Sequence, residues 1–132
     1  MHKFVFETYC YIMTLMLINF LCWNVRGINM STAYSLSDML DQKNIDIALI
    51  TEHKLLPRSQ HFLQSINPNY YAFNTCDDTL DNYGLARCGK AGTAILIRKS
   101  LQTVISQVYN IQNNRIIGIE VRIGCNIPLY IF

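Results

Sequence analysis

Charge is scarce in this chain of 132 residues: 15% are charged, and the balance is +2. Such a chain lacks the basic footprint that non-specific nucleic-acid binders carry, so any contact with nucleic acid must come from a defined site. The cysteines Cys10, Cys22, Cys76, Cys88 and Cys125 contain no C-x-x-C pair, and their number is odd. That argues against a disulfide framework and against a structural zinc site. Reduced thiols of an intracellular protein are the expectation, with Cys22 and Cys125 as small buried hydrophobes inside apolar runs. Low-complexity tracts, long charge blocks and internal repeats are missing as well. The apolar run from Tyr9 to Trp23 is shorter than the ~20 residues of a membrane span and contains Thr14 and Asn19. No small-x-small cleavage site follows it before Trp23, so a buried strand after a leader is expected, a signal or membrane segment stands as the alternative, and no stable membrane partner is expected.

What is there belongs to one globular unit. Half the residues are apolar (51%), Tyr and Phe are plentiful, and Val, Ile and Leu recur in short runs, which favours a sheet-containing fold. Leu15 to Val25 is apolar apart from Asn19 and Asn24, and Leu17 to Trp23 reads as a central strand buried on both faces. Ser31 or Thr32 can cap a helix running to about Lys43, with Tyr34, Leu36, Met39 and Leu40 as its apolar face. Ile45 to Thr51 reads as a second buried strand. A short helix is expected from Pro57 to Ile66, because Pro57 suits a first turn and Asn67-Pro68 a stop. Tyr70 to Thr75 reads as a third strand. The segment 76–92 holds Asp77, Asp78, Asp81, Asn82 and three glycines, which are turn formers. Strands follow at Thr93–Arg98, Val104–Tyr109, Arg115–Ile123 and Ile127–Phe132, with links that suit hairpins.

The order β-α-β-α-β followed by adjoining strands predicts an α/β (α+β) fold, one mixed sheet with helices on one face. An apolar last strand with no polar tail is expected to need a neighbour, so residues 15–132 are read as the N-terminal part of a truncated domain. Residues 1–14 are read as a poorly defined leader.

Two polar residues stand at the ends of buried strands. Asn24 follows Leu-Cys-Trp, and Glu52 follows Ala-Leu-Ile-Thr. Helical crossovers make such strands parallel, and the carboxyl ends of parallel strands are where α/β sites form. A carboxylate and an amide oxygen there could hold a hard divalent cation, since magnesium keeps several waters and can make do with one or two protein ligands. A cap, a turn residue or a solvated side chain is the plainer reading of either position.

Larger strings change the weighing. Cys22-Trp23-Asn24-Val25-Arg26-Gly27-Ile28 resembles the first-strand signature of the endonuclease/exonuclease/phosphatase superfamily, the DNase I-like fold. Asp46-Ile47-Ala48-Leu49-Ile50-Thr51-Glu52-His53 resembles its second motif, a buried strand ending in a metal-binding glutamate. Gly89-Lys90-Ala91-Gly92-Thr93-Ala94-Ile95-Leu96-Ile97 is similar to its glycine turn and following strand, and Arg115-Ile116-Ile117-Gly118-Ile119-Glu120-Val121 to the next strand pair. The four motifs keep the family's order from about Leu17 to Phe132. The branch they resemble is the endonuclease of non-long-terminal-repeat retrotransposons, related to abasic-site endonucleases. Abasic-site enzymes commonly carry an acidic residue after the Asn-Val pair, where this chain has Arg26 as the retroelement branch often does.

The resemblance implies that Glu52 is a catalytic metal ligand and Asn24 its catalytic neighbour on the metal or the scissile phosphate. It implies Mg2+, with Mn2+ as an alternative, held weakly, and DNA as the partner of the full-length family. His53 is expected to flank the site. The family's later Asp-x-Asn pair and terminal Ser-Asp-His do not occur here, and Asp77, Asp78 and Asp81 do not replace them. The chain is therefore expected to be inactive alone, with a C-terminal half or a reverse-transcriptase region as the missing partner. A lipid or nucleotide phosphatase of the same superfamily and a non-catalytic interaction protein reusing the half-fold stand as alternatives. Arg87, Lys90 and Lys99 flank the glycine segment as candidate phosphate contacts, with a solvated surface as the plainer reading. Tyr70 and Tyr71 are read as core and edge residues.

Overall fold

The computed structural model describes residues 18–76, 88–111, 116–123 and 127–132. The leader, Cys10, Cys125, Arg87 and the loop holding Asp77, Asp78 and Asp81 lie outside the described residues.

Strand β1 (Phe20–Asn24) leads into α1 (Met30–Gln42), which crosses over to β2 (Ile47–Thr51). A helical crossover forces parallel pairing, and β1 and β2 are parallel, with Asn24 opposite Thr51. A 3-10 helix (Pro57–Ser65), with Pro57 in its first turn, precedes β3 (Tyr70–Thr75). Strand β4 (Thr93–Arg98) then inserts between β2 and β3, antiparallel to both. The resulting mixed sheet has the order β1-β2-β4-β3. A second 3-10 helix (Lys99–Val104) leads to β5 (Ile105–Ile111), β6 (Ile116–Ile123) and β7 (Ile127–Ile131). These last strands form their own antiparallel sheet, in the order β5-β6-β7.

The first sheet is buried by two different layers. On one face Ala48, Ile50, Ala72, Ala94 and Leu96 pack against Leu36 and Leu40 of α1 and Leu63 of the 3-10 helix. On the other, Ile47, Ile95 and Ile97 pack against Ile117, Ile119 and Val121 of β6. Alternation along β4 explains this, since Ala94 and Leu96 point one way and Ile95 and Ile97 the other. The fold is thus α/β, a mixed sheet with helices on one face, and its other face is covered within the chain.

Three expectations need correction. β1 is the outer strand of its sheet rather than a central one, and Phe20, Cys22 and Asn24 alternate outward. Cys22 is accordingly exposed, not a buried hydrophobe. Helix α1 begins earlier than expected, because Asn29 caps it: Asn29 Oδ1 accepts from the Thr32 N–H at 3.0 Å. Its buried face is Ala33, Leu36 and Leu40, whereas Tyr34 is 66% exposed.

The edge far from Asn24 is tied by side chains. Arg98 donates to the Ile45 carbonyl at 2.8 Å and lies 3.4 Å from Asp46, with its guanidinium over the Tyr70 ring. Tyr70, buried, donates to the same carbonyl, and burial pushes its phenol pKa up while Arg98 opposes that rise. Tyr70 is thus a core residue.

Candidate functional site

Both sequence-singled residues emerge at one edge of the first sheet. Parallel pairing carries β1 and β2 to the same end, and the backbone pairing continues beyond them: Gly27 N–H donates to the Glu52 carbonyl at 2.7 Å and Ile28 N–H to the His53 carbonyl at 2.9 Å. Asn24 Nδ2 donates to Glu52 Oε1 at 2.9 Å, and Asn24 Oδ1 accepts from the Arg26 N–H at 3.1 Å. That second bond settles which end of the amide is which, because a backbone N–H requires an acceptor. The amide oxygen is therefore taken up by the turn, and Asn24 turns its donor to the carboxylate. The pair is a carboxylate with one oxygen steered by an amide, in place of two oxygens converging on one point. The second Glu52 oxygen has no protein partner among the described residues.

Glu52 sits in a turn gripped from both sides. On the side away from β1, Lys54 N–H donates to the Ala91 carbonyl at 2.9 Å, and Gly89 N–H donates to the Lys54 carbonyl at 2.8 Å. Both glycines of this segment have a reason. A Cβ at Gly89 would lie 2.9 Å from the Leu55 carbonyl oxygen, and Gly92 has φ +116 with the His53 imidazole against it, where a Cβ would lie 2.7 Å from Nδ1. Glu52 and Lys54 themselves have left-handed backbone, φ +55 and +56. Such conformations in non-glycine residues persist only where the surroundings impose them.

His53 is fully buried between them. Its Nδ1 accepts from the Leu55 N–H at 3.0 Å, so the proton resides on Nε2, which lies 3.0 Å from the Thr75 carbonyl and donates to it. Burial lowers its pKa below 6.5, against a smaller opposing pull from the Thr75 and Thr93 carbonyls, and keeps the ring neutral. Adjacency to Glu52 was visible in the sequence, but the partnership with Thr75 and Gly92 was not.

The remaining candidates disperse. Lys99 stands at the opposite end of β4, its ammonium over the Tyr71 ring at 5.2 Å, so it does not flank the glycine segment in space. Lys90 is exposed beside the Glu52 turn. A cavity of about 240 Å³ opens between the sheets near Thr51 and Thr93, but Leu49, Ile95, Ile117 and Phe132 make its walls apolar. Asp41 and Asp46 accept from Asn67 and the Asn19 N–H, far from Glu52, and Glu120 pairs with Arg122. Among the described residues no three His, Cys, Asp or Glu side chains gather as a metal site. Among the described residues Glu52 keeps a carboxylate oxygen at this sheet edge that could take a hard cation, with water completing the shell. No helix among the described residues is long and apolar enough to cross a membrane.

Solved structures share this architecture. A humanized TDP2 of D. rerio carrying 14 mutations aligns over 86% of the chain at 20% identity, with a TM-score of 0.57. An AP endonuclease from Archaeoglobus fulgidus aligns over 86% at 17% identity and TM-score 0.52, and TDP2 from Caenorhabditis elegans over 86% at 18% and 0.52. The chain spans less than half of each, 44%, 40% and 33% respectively. At these identities the likeness is one of fold. No curated protein matches the chain in sequence. Residues 21–131 match the model of the Endonuclease/Exonuclease/phosphatase family, a span that runs from the second residue of β1 to the end of β7 and includes Asn24 and Glu52, and the chain belongs to that family.

Proposed function

We propose that this chain carries one half of a metal-dependent phosphodiester-cleaving site, that of a retrotransposon-type DNA endonuclease, and that it does not cut DNA by itself. The observation that carries the reading is the Asn24–Glu52 pair at the carboxyl ends of parallel strands, joined at 2.9 Å. Glu52 would hold a divalent ion, Mg2+ or Mn2+, through the oxygen that Asn24 leaves free. Such an ion, when bound, supplies charge stabilisation on a phosphate. Asn24 fixes the other oxygen and presents a donor group beside the place a phosphate oxygen would occupy. Arg26, in the position that follows Asn-Val, supports the retroelement branch over abasic-site repair, and the likeness of fold to an AP endonuclease is in keeping with DNA as substrate.

Inactivity follows from what one carboxylate and one amide cannot do. Hydrolysis needs an activated water and help for the leaving oxygen, and Asp-x-Asn and Ser-Asp-His are absent from this sequence. Members of such a unit act together, so lacking several costs orders of magnitude rather than a modest fraction. The missing groups belong to a C-terminal half or a polypeptide carrying the reverse-transcriptase region. A plasmid-nicking assay with Mg2+ tests this. The unsubstituted chain and Glu52→Ala should both leave supercoiled DNA intact. Nicking by the unsubstituted chain that disappears in Glu52→Ala would contradict inactivity, and nicking retained in Glu52→Ala would detach the cleavage from Glu52.

A further inference from the structure

We propose that His53 is the positioning residue of this site: its buried imidazole, wedged between the Leu55 N–H, the Thr75 carbonyl and Gly92, holds the left-handed backbone at residue 52 that sends the Glu52 carboxylate to Asn24. The consequence for metal binding rests on the function proposed above; the positioning itself does not.

The turn at residues 52–54 is left-handed at two of its three residues, and Arg26 across from it has φ +50 as well. Glu52 and Lys54 both have positive φ, and His53 stands between them. Backbone bonds grip the turn at the Glu52, His53 and Lys54 carbonyls, yet each of those partners is itself a loop, at 27–28 or at 89–92. The imidazole ties the turn to β3, beside the chain's own continuation from β2 and the bond that Asn24 of β1 donates to Glu52. One nitrogen accepts from the N–H two residues ahead, closing the turn on itself, and the other donates across to the last residue of β3. The strand end it reaches is fixed in turn, since the Thr75 hydroxyl is 3.0 Å from that of Thr93. Gly92 completes the slot, because any side chain there would occupy the ring's own volume. A flat group with an acceptor at one corner and a donor at the far corner is what the slot takes, and neutral histidine is such a group. Fixing a ligand's backbone through a neighbour that never touches the ion is how outer residues tune a site.

Side-chain amide NMR of the full chain reads this directly. Hydrogen bonding to the carboxylate should displace one Asn24 side-chain N–H proton downfield, a displacement that Glu52→Gln reduces. In His53→Ala and His53→Gln, each checked for folding by circular dichroism, the displacement should collapse, while His53→Asn, which keeps the acceptor for the Leu55 N–H, should retain part of it. Mn2+ affinity, read by electron paramagnetic resonance below the unfolding temperature, should fall about 10–100-fold in His53→Ala. An Asn24 signal unchanged in a folded His53→Ala or His53→Gln would overturn the proposal. Should those variants not fold, the ring of the unsubstituted chain decides: a proton on Nε2 sustains the proposal, and a proton on Nδ1, which could not accept from Leu55, overturns it. Loss of the Asn24 signal in the variants with no Mn2+ bound to the unsubstituted chain would keep the positioning role and sink the function proposed for Glu52. Mn2+ binding that depends on Glu52 and ignores His53 would do the reverse.

Discussion

Glu52 and Asn24 were legible as single residues because each ends an apolar run. A polar side chain there must leave the core, and the crossover through α1 makes the two runs end at the same edge. What was not legible is how the pair is held. The Arg26 N–H that fixes the Asn24 amide depends on a turn, and the bond from His53 to Thr75 spans residues far apart in sequence. Cys22 was misjudged for a related reason: an apolar run does not reveal which strand becomes an outer one. Gly92 supplies a prediction at this scale. Gly92→Ala must accept a left-handed φ and displace the His53 ring, and it should destabilise the chain by roughly 2–4 kcal/mol, read as a lowered midpoint in urea. A loss no greater than that of an ordinary surface substitution would show that the slot is not closed. His53 supplies another. Its folded pKa lies below 6.5, so beneath that pH the unfolded chain binds a proton that the folded chain does not. Stability should be level above that pH and decline as pH falls through the window down to the folded value. The metal-free chain unfolded by urea at several pH values checks this, with His53→Gln expected to lose that part of the slope. A slope of opposite sign would mean the ring is charged in the fold.

Elements with strong local punctuation were predicted closely. Tyr70–Thr75 and Thr93–Arg98 carry the expected boundaries, because Asn67-Pro68 and the glycine segment stop whatever lies beside them. The pairing partners were less accessible. Nothing in the alternation of Thr93–Arg98 says that this strand slips between β2 and β3, nor that the three following strands form a sheet of their own. Such arrangements are decided by which faces the packed layers can bury together, Ile95 and Ile97 against Ile117 and Ile119 here. The start of α1 shows the same limit on a smaller scale, since Asn29, Ser31 and Thr32 all suit a cap and only the chain's path chooses. Asn29→Ala removes the acceptor for the Thr32 N–H and should cost about 1 kcal/mol in chemical unfolding. Ser31→Ala, whose hydroxyl is outside the cap, should cost distinctly less; equal losses would place the cap elsewhere.

As a whole molecule, the chain is a two-sheet sandwich with helices on one outer face, where the sequence pointed to one mixed sheet. β6 covers Ile47, Ile95 and Ile97, and the exposed apolar side chains among the described residues include Phe20 at 43% on the outer strand and Tyr130 and Phe132 at 52% and 65% at the end of the second sheet. Membership of the family and the site's position at the sheet edge agree, and both leave the weight of the account on one carboxylate. Isothermal calorimetry with Mn2+ therefore tests it most directly, comparing the unsubstituted chain with Glu52→Gln, a change that keeps the side chain's size and removes its charge. The account predicts weak, saturable binding to the unsubstituted chain that is lost in Glu52→Gln. Binding of equal strength in the two proteins would contradict the assignment of the metal to Glu52.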